Sequence, residues 1–347
     1  MTGMATEVFM NDATAERAMS EIAKAVEGYC AEHHELTVIA GITQGGTRHI
    51  RSFRSSDAKP VTGEKTVYEI GSFSNVFTTA LLAVMESKGM ISLDDTTSTA
   101  GIDRIGKILA RMVDQDVRTS YLQYRKEDLY EQRRVAELAR PRRSGWAYSI
   151  IRMSVLGHLL DVEAGQSYER LLREFVCEPL GLHDTAYRLT DEQLARGVRG
   201  DDETGRPSPV WYWDVMVPQG GLRSTLDDML AFAEANLRND GSQLSTDLRR
   251  ARETHFEWPE GDERPKPAGG NPPFRQALGW RRHEGPRGII SSHGGATRSS
   301  QSYLGVCEQT QTGLVAFVSG DRNLDDIHVF PAFADGLMHK TMEVVAA

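Results

Sequence analysis

Ser72 follows Gly71 at the start of a strongly apolar helical pattern. A serine hydroxyl is a poor nucleophile at neutral pH and needs a base close by. The start of a helix leaves backbone N–H groups free, and these donors can stabilise an oxyanion. Asn75 stands one helical turn later, on the same helix face as Ser72. Its amide can hydrogen-bond but does not usefully accept a proton. Ser72 is thus a candidate nucleophile, with a simple helix-capping serine as the alternative.

The helix that would position Ser72 is predicted over residues 73–89. Its apolar residues recur at the spacing of one buried helix face: Phe73, Val76, Phe77, Ala80, Leu81, Val84 and Met85. Gly89 is expected to end the helix. We interpret this stripe as core packing and not as a cofactor-binding face.

The remaining elements predict an α+β fold. A helix is expected over residues 13–33, and Gln44-Gly45-Gly46-Thr47 predicts a hairpin turn between two strands. Residues 100–240 are mostly helical in pattern, and 257–273 form a loop by composition. Short β-rich runs and a helix over about 326–345 follow. We expect an antiparallel sheet built from both termini and interrupted by a helical lobe.

One segment carries a specific resemblance. YEIGSFSNVFTTALLAVMESKGMISLDD resembles the nucleophile helix of the serine β-lactamase family, which includes class C β-lactamases, D-alanyl-D-alanine carboxypeptidases, esterases and transacylases. The family pattern is I-G-S-x-x-K-x-F-T, an apolar helix, and then G-x-x-x-L-D-D. Asn75 stands at the lysine position. Every other part of the pattern matches.

Further blocks extend the resemblance along most of the chain. The run beginning GWAYSIIRM resembles the family's Y-S-N segment, and QGGLRSTLDDM its G-G-L-x-S-T-x-x-D-M segment. ALGW and SSHGGATRSSQSYLGV resemble the strand of the third motif. The resemblance implies a β-lactamase/transpeptidase-like fold, with an antiparallel sheet flanked by N- and C-terminal helices and an all-helical lobe. We expect the sheet lobe over 1–84 and 270–347, the helical lobe over 85–269, and the active site between them.

The resemblance also implies roles for individual residues. Ser72 is then the nucleophile, Tyr148 the second-motif tyrosine that relays a proton, and His293 the third-motif residue. The oxyanion hole would use the backbone N–H groups of Ser72 and Ala296. A cation such as charged His293, or Arg298 turned inward, would favour the phenolate of Tyr148.

Two departures from the family pattern bear on catalysis. Asn75 replaces the lysine, and Ile150 replaces the asparagine of Y-S-N, so both members of one contact are lost together. Arg152 and Arg298 stand beside the second and third motifs. If either lines the pocket, a carboxylate or phosphate on the substrate is expected; the alternative is that both are solvated surface arginines. The candidate substrate-binding residues are Asn75, Ile150, Arg152, Gly294, Gly295 and Arg298.

Composition limits the partners. A net charge of -9 argues against nucleic acid and anionic membranes. No secretion signal is expected at the N-terminus. Cys30, Cys177 and Cys307 form no disulfide or metal pattern, so we expect a cytoplasmic protein without a metal or other cofactor. A small-molecule substrate is expected, and the oligomeric state stays open.

Three functions are compatible with these residues. The first is acyl hydrolysis or acyl transfer through Ser72 in small-molecule, natural-product-type metabolism. The second is non-covalent acid/base chemistry, such as a cyclisation, isomerisation or elimination, with Tyr148 and His293. The third is binding without catalysis, because a fold alone does not establish an activity.

Overall fold

The computed structural model describes residues 12–33, 35–56, 58, 63–91, 150–198, 216–254, 275–297, 299–320 and 329–345. Its centre is a seven-stranded antiparallel sheet in the order β2-β1-β9-β8-β7-β6-β5. The strands of this sheet are β1 (Thr37–Gln44), β2 (Thr47–Arg54), β5 (Arg275–Gln276), β6 (Arg281–Gly285), β7 (Gly288–Ala296), β8 (Ser300–Cys307) and β9 (Thr312–Ser319). A separate two-stranded ribbon pairs β3 (Tyr68–Glu69) with β4 (Arg223–Ser224). The N-terminal hairpin therefore joins strands from the end of the chain, as the sequence predicts.

Helices cover both faces of the sheet. The α-helices are α1 (Asp12–Glu32), α2 (Ser74–Ser87), α3 (Ile150–Ala164), α4 (Tyr168–Leu172), α5 (Glu178–Leu180), α6 (Asp191–Ala195), α7 (Leu226–Leu237), α8 (Gln243–Ala251) and α9 (Val329–Val345). Gly71–Phe73 forms a single 3-10 turn, and single π-helical turns span Arg173–Cys177 and Val217–Gly221. None of the helices in the described ranges is long and apolar enough to span a membrane. The predicted α+β architecture is confirmed.

Two apolar cores lie on opposite faces of the sheet. One is shared by the sheet with α1 and α9, and includes Val38, Ile290 and Tyr303. The other lies between the sheet, α2, α7 and the remaining helices, and includes Ile39 and Phe317. Neighbouring residues of a strand thus serve different cores, as the two-residue period of a β-strand requires.

The β1–β2 turn follows from its glycines. Gly45 and Gly46 have φ of 55° and 85°, and Gln44 pairs with Thr47 across the turn. Two consecutive residues with positive φ make a type I′ turn, whose twist matches that of a hairpin. The predicted hairpin is confirmed at its predicted position.

Helix α2 runs from Ser74 to Ser87, close to its predicted range. All seven residues of the predicted apolar stripe are at least 97% buried, so its interpretation as core is confirmed. Gly89 lies just beyond the helix with φ of 70°, the left-handed conformation expected there.

The lobe boundaries at residues 84 and 270 stay a prediction. Helix α7 falls inside the range predicted for the helical lobe, yet it packs on the sheet. A Cβ at Gly41 of β1 would lie 2.8 Å from Leu230, and one at Gly313 of β9 would lie 3.1 Å from Ala233. The bare backbone of both strands lets α7 approach the sheet closely.

Candidate active site

Ser72 lies inside the single 3-10 turn Gly71–Phe73 that precedes α2. Its neighbours Gly71, Phe73 and Ser74 are buried, whereas Ser72 is partly exposed. The hydroxyl of Ser74 donates to the Gly71 carbonyl at 2.8 Å and accepts from the Leu222 amide at 3.1 Å. The cap positions of the turn and of α2 are Ile70 and Phe73. Ser72 occupies neither cap position, so the alternative that it only caps the helix is not supported.

The C-terminal end of β7 packs directly against this turn. Gly71 has φ of +54°, and a Cβ there would lie 2.7 Å from both N and O of Ala296. A Cβ at Gly295 would lie 1.9 Å from the Ile70 carbonyl oxygen. Backbone meets backbone at both positions, so any larger residue would push the strand away from Ser72. Gly295, predicted to bind substrate, lies here as a close-packing residue.

The Ala296 amide is turned toward this contact and away from β8. The Thr297 amide donates to the Ser300 carbonyl at 2.9 Å, and Ala296 pairs with Gln301. Hydrogen bonds of an antiparallel pair alternate, so the amide of Ala296 points to the other side of β7. On that side of β7 the neighbouring strand is β6, whose pairing with β7 ends at Ser292 and does not reach Ala296. The Ala296 amide is therefore not used by β8 or β6 pairing, and its part in an oxyanion hole stays a prediction.

His293 is buried, with 5% of its surface exposed. Its Nδ1–H donates to the Gly294 carbonyl at 2.6 Å, and its ring meets Phe73 edge to face at 6.1 Å between centroids. Burial, with a smaller effect of Arg281, lowers the pKa of His293 to about 3. At neutral pH His293 is therefore uncharged, so it does not provide the cation considered above beside Tyr148. Because Nδ1 carries the proton, Nε2 has a free lone pair.

Gln219 is a site residue that the sequence analysis missed. It is 2% exposed, and its Nε2 donates to Ser72 Oγ at 3.2 Å. Its Oε1 has no hydrogen-bond partner among the residues that the structure describes. A buried amide oxygen without a partner is costly, so it favours an N–H or O–H of a ligand at this position. The sequence signal was a polar residue between Pro218 and two glycines, inside a block already assigned to the family.

The π turn that carries Gln219 is held firmly. The hydroxyl of Thr78 in α2 donates to the Pro218 carbonyl at 2.5 Å and lies 2.8 Å from the Tyr168 hydroxyl. Pro218 fits against α3 because residue 157 is glycine: a Cβ there would lie 2.1 Å from the proline ring. Helices α2 and α3 together therefore fix the position of Gln219 relative to Ser72.

Of the other predicted site residues, the structure describes some side chains and not others. Asn75 lies in the first turn of α2 and is 2% exposed. Ile150 and Arg152 lie in the first turn of α3, but their side chains fall outside the described residues, as do Tyr148 and Arg298. A Cβ at Gly294 would lie 2.7 Å from Pro331 of α9. The structure thus brings Ser72, Ala296 and Gln219 together, with His293 beside Phe73.

One group of metal-ligating side chains appears among the described residues, and it lies elsewhere. His283 comes from β6, and Asp335 and His339 come from α9. Asp335 accepts a hydrogen bond from Tyr303, which belongs to the core on the α1/α9 face of the sheet. This cluster lies on the α1/α9 face of the sheet, whereas α2, which follows Ser72, packs on the opposite face.

Comparisons with known proteins give a consistent result. The family model described as beta-lactamase matches residues 22–332. A class C β-lactamase structure from Rhodobacter sphaeroides is 19% identical with a TM-score of 0.73, covering 94% of this chain and 99% of that one. A β-lactamase/D-alanine carboxypeptidase structure from Pseudomonas syringae is 15% identical with a TM-score of 0.74, at 94% and 99% coverage. The predicted β-lactamase/transpeptidase-like fold is confirmed.

Curated relatives match over shorter lengths. A human beta-lactamase-like protein is 30% identical over 206 residues, which cover 53% of this chain and 41% of the relative. A β-lactamase from Pseudomonas fluorescens is 25% identical over 53% of this chain and 54% of its own length. The chain thus spans about half the length of these relatives.

Proposed function

The chain belongs to the beta-lactamase family, and we propose that it is a serine hydrolase or acyltransferase acting on a small molecule through an acyl-enzyme at Ser72. The observation that carries this proposal is the Ser72 hydroxyl itself. Ser72 is partly exposed on a turn that is otherwise buried, and its neighbour Gly71 in that turn lies against the backbone of Ala296. Nucleophile and oxyanion donor thus meet at one point, as acyl transfer requires.

The proposed reaction has two steps. Ser72 Oγ bonds to the carbonyl carbon of the substrate, and the amide groups of Ser72 and Ala296 stabilise the oxyanion. The bond to the leaving group then breaks, and the leaving group takes the proton that Ser72 gave up. Water, or a hydroxyl or amine acceptor, next attacks the acyl-enzyme and frees Ser72. Hydrolysis and acyl transfer differ only in this acceptor.

The proton of Ser72 needs a carrier other than its nearest neighbours. Gln219 donates to Oγ through Nε2, and neither its amide nor that of Asn75 is a base. Two groups of the predicted relay remain, the phenol of Tyr148 and Nε2 of His293. The low pKa of His293, about 3, makes it a weak base. We therefore assign the main relay to Tyr148.

A second candidate function is non-covalent acid/base chemistry. Because Gln219 donates to Ser72 Oγ, the hydroxyl proton of Ser72 is directed to another acceptor. Ser72, Tyr148 and neutral His293 would then hold or protonate a substrate during a cyclisation, isomerisation or elimination. The fate of Ser72 separates this function from the first, and binding without turnover would identify the third alternative.

The cysteines of the chain bear on the compartment in which it works. The three cysteines are buried free thiols, and burial raises the pKa of Cys30 to about 11 and that of Cys177 to about 12. Such thiols are unreactive and fit a reducing compartment. We propose a cytoplasmic enzyme of natural-product metabolism, whose substrate carries an anionic group if Arg152 or Arg298 faces the pocket.

A fluorophosphonate probe is expected to modify Ser72 covalently. The probe loses fluoride and forms a phosphonyl ester, which intact-mass measurement detects as one adduct per chain. Ser72→Ala should remove the adduct, whereas the matched control Ser20→Ala, at an exposed position of α1, should retain it. Wild-type protein that stays unmodified after long exposure to several probes and activated esters would contradict the acyl-enzyme and favour the other two functions.

Gln219→Leu is expected to slow this labelling by about tenfold, because it removes one hydrogen bond to the reacting oxygen. The substitution keeps a side chain of similar length, so folding should be little affected. The measurement is the second-order rate of adduct formation, with Tm as the folding control. The exposed Gln309→Leu is the matched variant and should label at the wild-type rate. An unchanged rate in folded Gln219→Leu would make Gln219 a packing residue.

A further inference from the structure

Three side chains with metal-binding atoms converge between β6 and α9, on the sheet face opposite α2. His283 Nε2 lies 3.2 Å from His339 Nε2 and 3.2 Å from Asp335 Oδ2. His339 Nε2 lies 4.0 Å from the same carboxylate oxygen. The side chains of His283 and Asp335 are 4% and 6% exposed, and that of His339 is 27% exposed.

We propose that His283, Asp335 and His339 bind a divalent transition metal ion of the zinc type. Zinc binds histidine nitrogen and carboxylate oxygen at about 2.0–2.2 Å, which places tetrahedral ligands roughly 3.3–3.5 Å apart. The three separations of 3.2, 3.2 and 4.0 Å surround that value. The longest one involves His339, whose side chain is the most exposed of the three at 27%.

The two short contacts of His283 Nε2 compete for one proton. A proton on His283 Nε2 can point to His339 or to Asp335, but not well to both. A cation at the centre would be bound by the lone pairs of all three groups. Two imidazoles and one carboxylate suit zinc and its neighbours in the first transition row, whereas Mg²⁺ and Ca²⁺ prefer sites built from oxygen.

The surrounding residues orient the ligands. Tyr303 of β8 donates from its hydroxyl to Asp335 Oδ1 at 2.6 Å, which leaves Oδ2 turned to the two histidines. Such a second contact on a ligating carboxylate is typical of metal sites. Asp335 and His339 are four residues apart on α9 and therefore share one helix face. The imidazole rings of His283 and His339 are nearly parallel, at 6°, with their centroids 5.4 Å apart and their Nε2 atoms facing each other at 3.2 Å. The fourth ligand would be water, which enters from the His339 side.

The site would fasten the C-terminal helix to the sheet. His283 pairs through its backbone with Ile290 of β7, and Pro331 of α9 packs against Gly294. A metal ion here would strengthen the layer behind the strand that carries Ala296. No local sequence pattern indicates this site, because the ligands come from elements 56 residues apart in the chain.

The test is zinc titration of tag-free, chelator-treated protein, followed by competition with a chromogenic chelator. We expect one zinc per chain with a micromolar or tighter Kd. At free zinc about 100-fold above Kd, Tm should rise by roughly 4 °C. Co²⁺ in the same site should give the intense visible absorption of tetrahedral coordination, and Mg²⁺ should have no effect.

Two variants test whether these side chains bind the zinc: one removes a ligand, and the other removes a hydrogen bond to a ligand. His339→Ala, at a partly exposed helix position, should weaken zinc binding at least about tenfold, as should Tyr303→Phe, which removes the contact on Asp335. The matched control is His183→Ala, at an exposed histidine away from the cluster. Zinc binding that is unchanged in folded His339→Ala would overturn the proposal, and so would the absence of stoichiometric binding in wild-type protein. Rates of Ser72 labelling are a separate readout, so failure of either proposal leaves the other standing.

Discussion

A chromogenic cephalosporin is expected to be hydrolysed slowly, with a turnover number below about 0.1 per second. Efficient enzymes turn over at roughly 10 per second, and general-base assistance contributes about 10²–10⁴ in rate. The position of the family's lysine holds Asn75, buried in the first turn of α2. The nearest described side chain on Ser72 Oγ, Gln219, donates a hydrogen bond and cannot take the proton. The rate loss is therefore expected in the acylation step.

The control for this measurement is Ser72→Ala, which gives the uncatalysed background in the same buffer. Wild-type turnover of about 10 per second or more would contradict the prediction and would require an efficient base other than Gln219 and Asn75. The measurement needs only purified protein and an absorbance trace. It also separates β-lactam hydrolysis from acyl chemistry on another substrate, which the fluorophosphonate probe alone does not.

Restoring the lysine extends the same prediction. Asn75→Lys places an amine where burial lowers its pKa and makes it a base. Ile150 cannot hydrogen-bond to that amine, so the single variant should recover little hydrolysis. The double variant Asn75→Lys with Ile150→Asn should recover more than the sum of the two single variants, since the two positions act together. Equal recovery by the single variant would show that Ile150 has no part in the loss.

The sequence predicted the parts of the fold that depend on local pattern. The α2 stripe, the Gly45-Gly46 turn and the left-handed Gly89 each follow from neighbouring residues, and the structure confirms all three. The family motifs then indicated Ser72 and the strand that carries Ala296. Local rules sufficed because each motif lies within one element and its turn.

Long-range contacts were beyond such rules. The side chain of Gln219 contacts that of Ser72 at a sequence separation of 147 residues, and that of His283 contacts His339 at a separation of 56. Neither pair has a spacing that any single helix or strand would produce. The neutral state of His293 was likewise missed, because it results from burial. A sequence shows which residues can titrate, whereas the packed structure sets their pKa values.

Tyr148→Phe is expected to lower kcat/KM at least as much as Asn75→Ala does. An ordinary tyrosine has a pKa near 10 and is protonated at neutral pH, so it acts more readily as an acid or hydrogen-bond donor than as a base. His293 is neutral and buried and cannot supply the positive charge that would favour a phenolate. Arg298 is the remaining candidate cation, which makes Arg298→Gln an informative third variant.

The pH dependence follows from the same groups. If the phenolate of Tyr148 is the base, kcat/KM should rise with pH toward the pKa of the phenol, and Tyr148→Phe should flatten that rise. His293, with a pKa of about 3, should add no step between pH 5 and 8. The profiles of wild type, Tyr148→Phe and Asn75→Ala on one activated ester measure this directly. Tm is the folding control. We expect Tyr148→Phe to change it little, because phenylalanine keeps the aromatic ring. A folded and fully active Tyr148→Phe would make Tyr148 a packing residue, and the proton would then have to pass through Nε2 of His293.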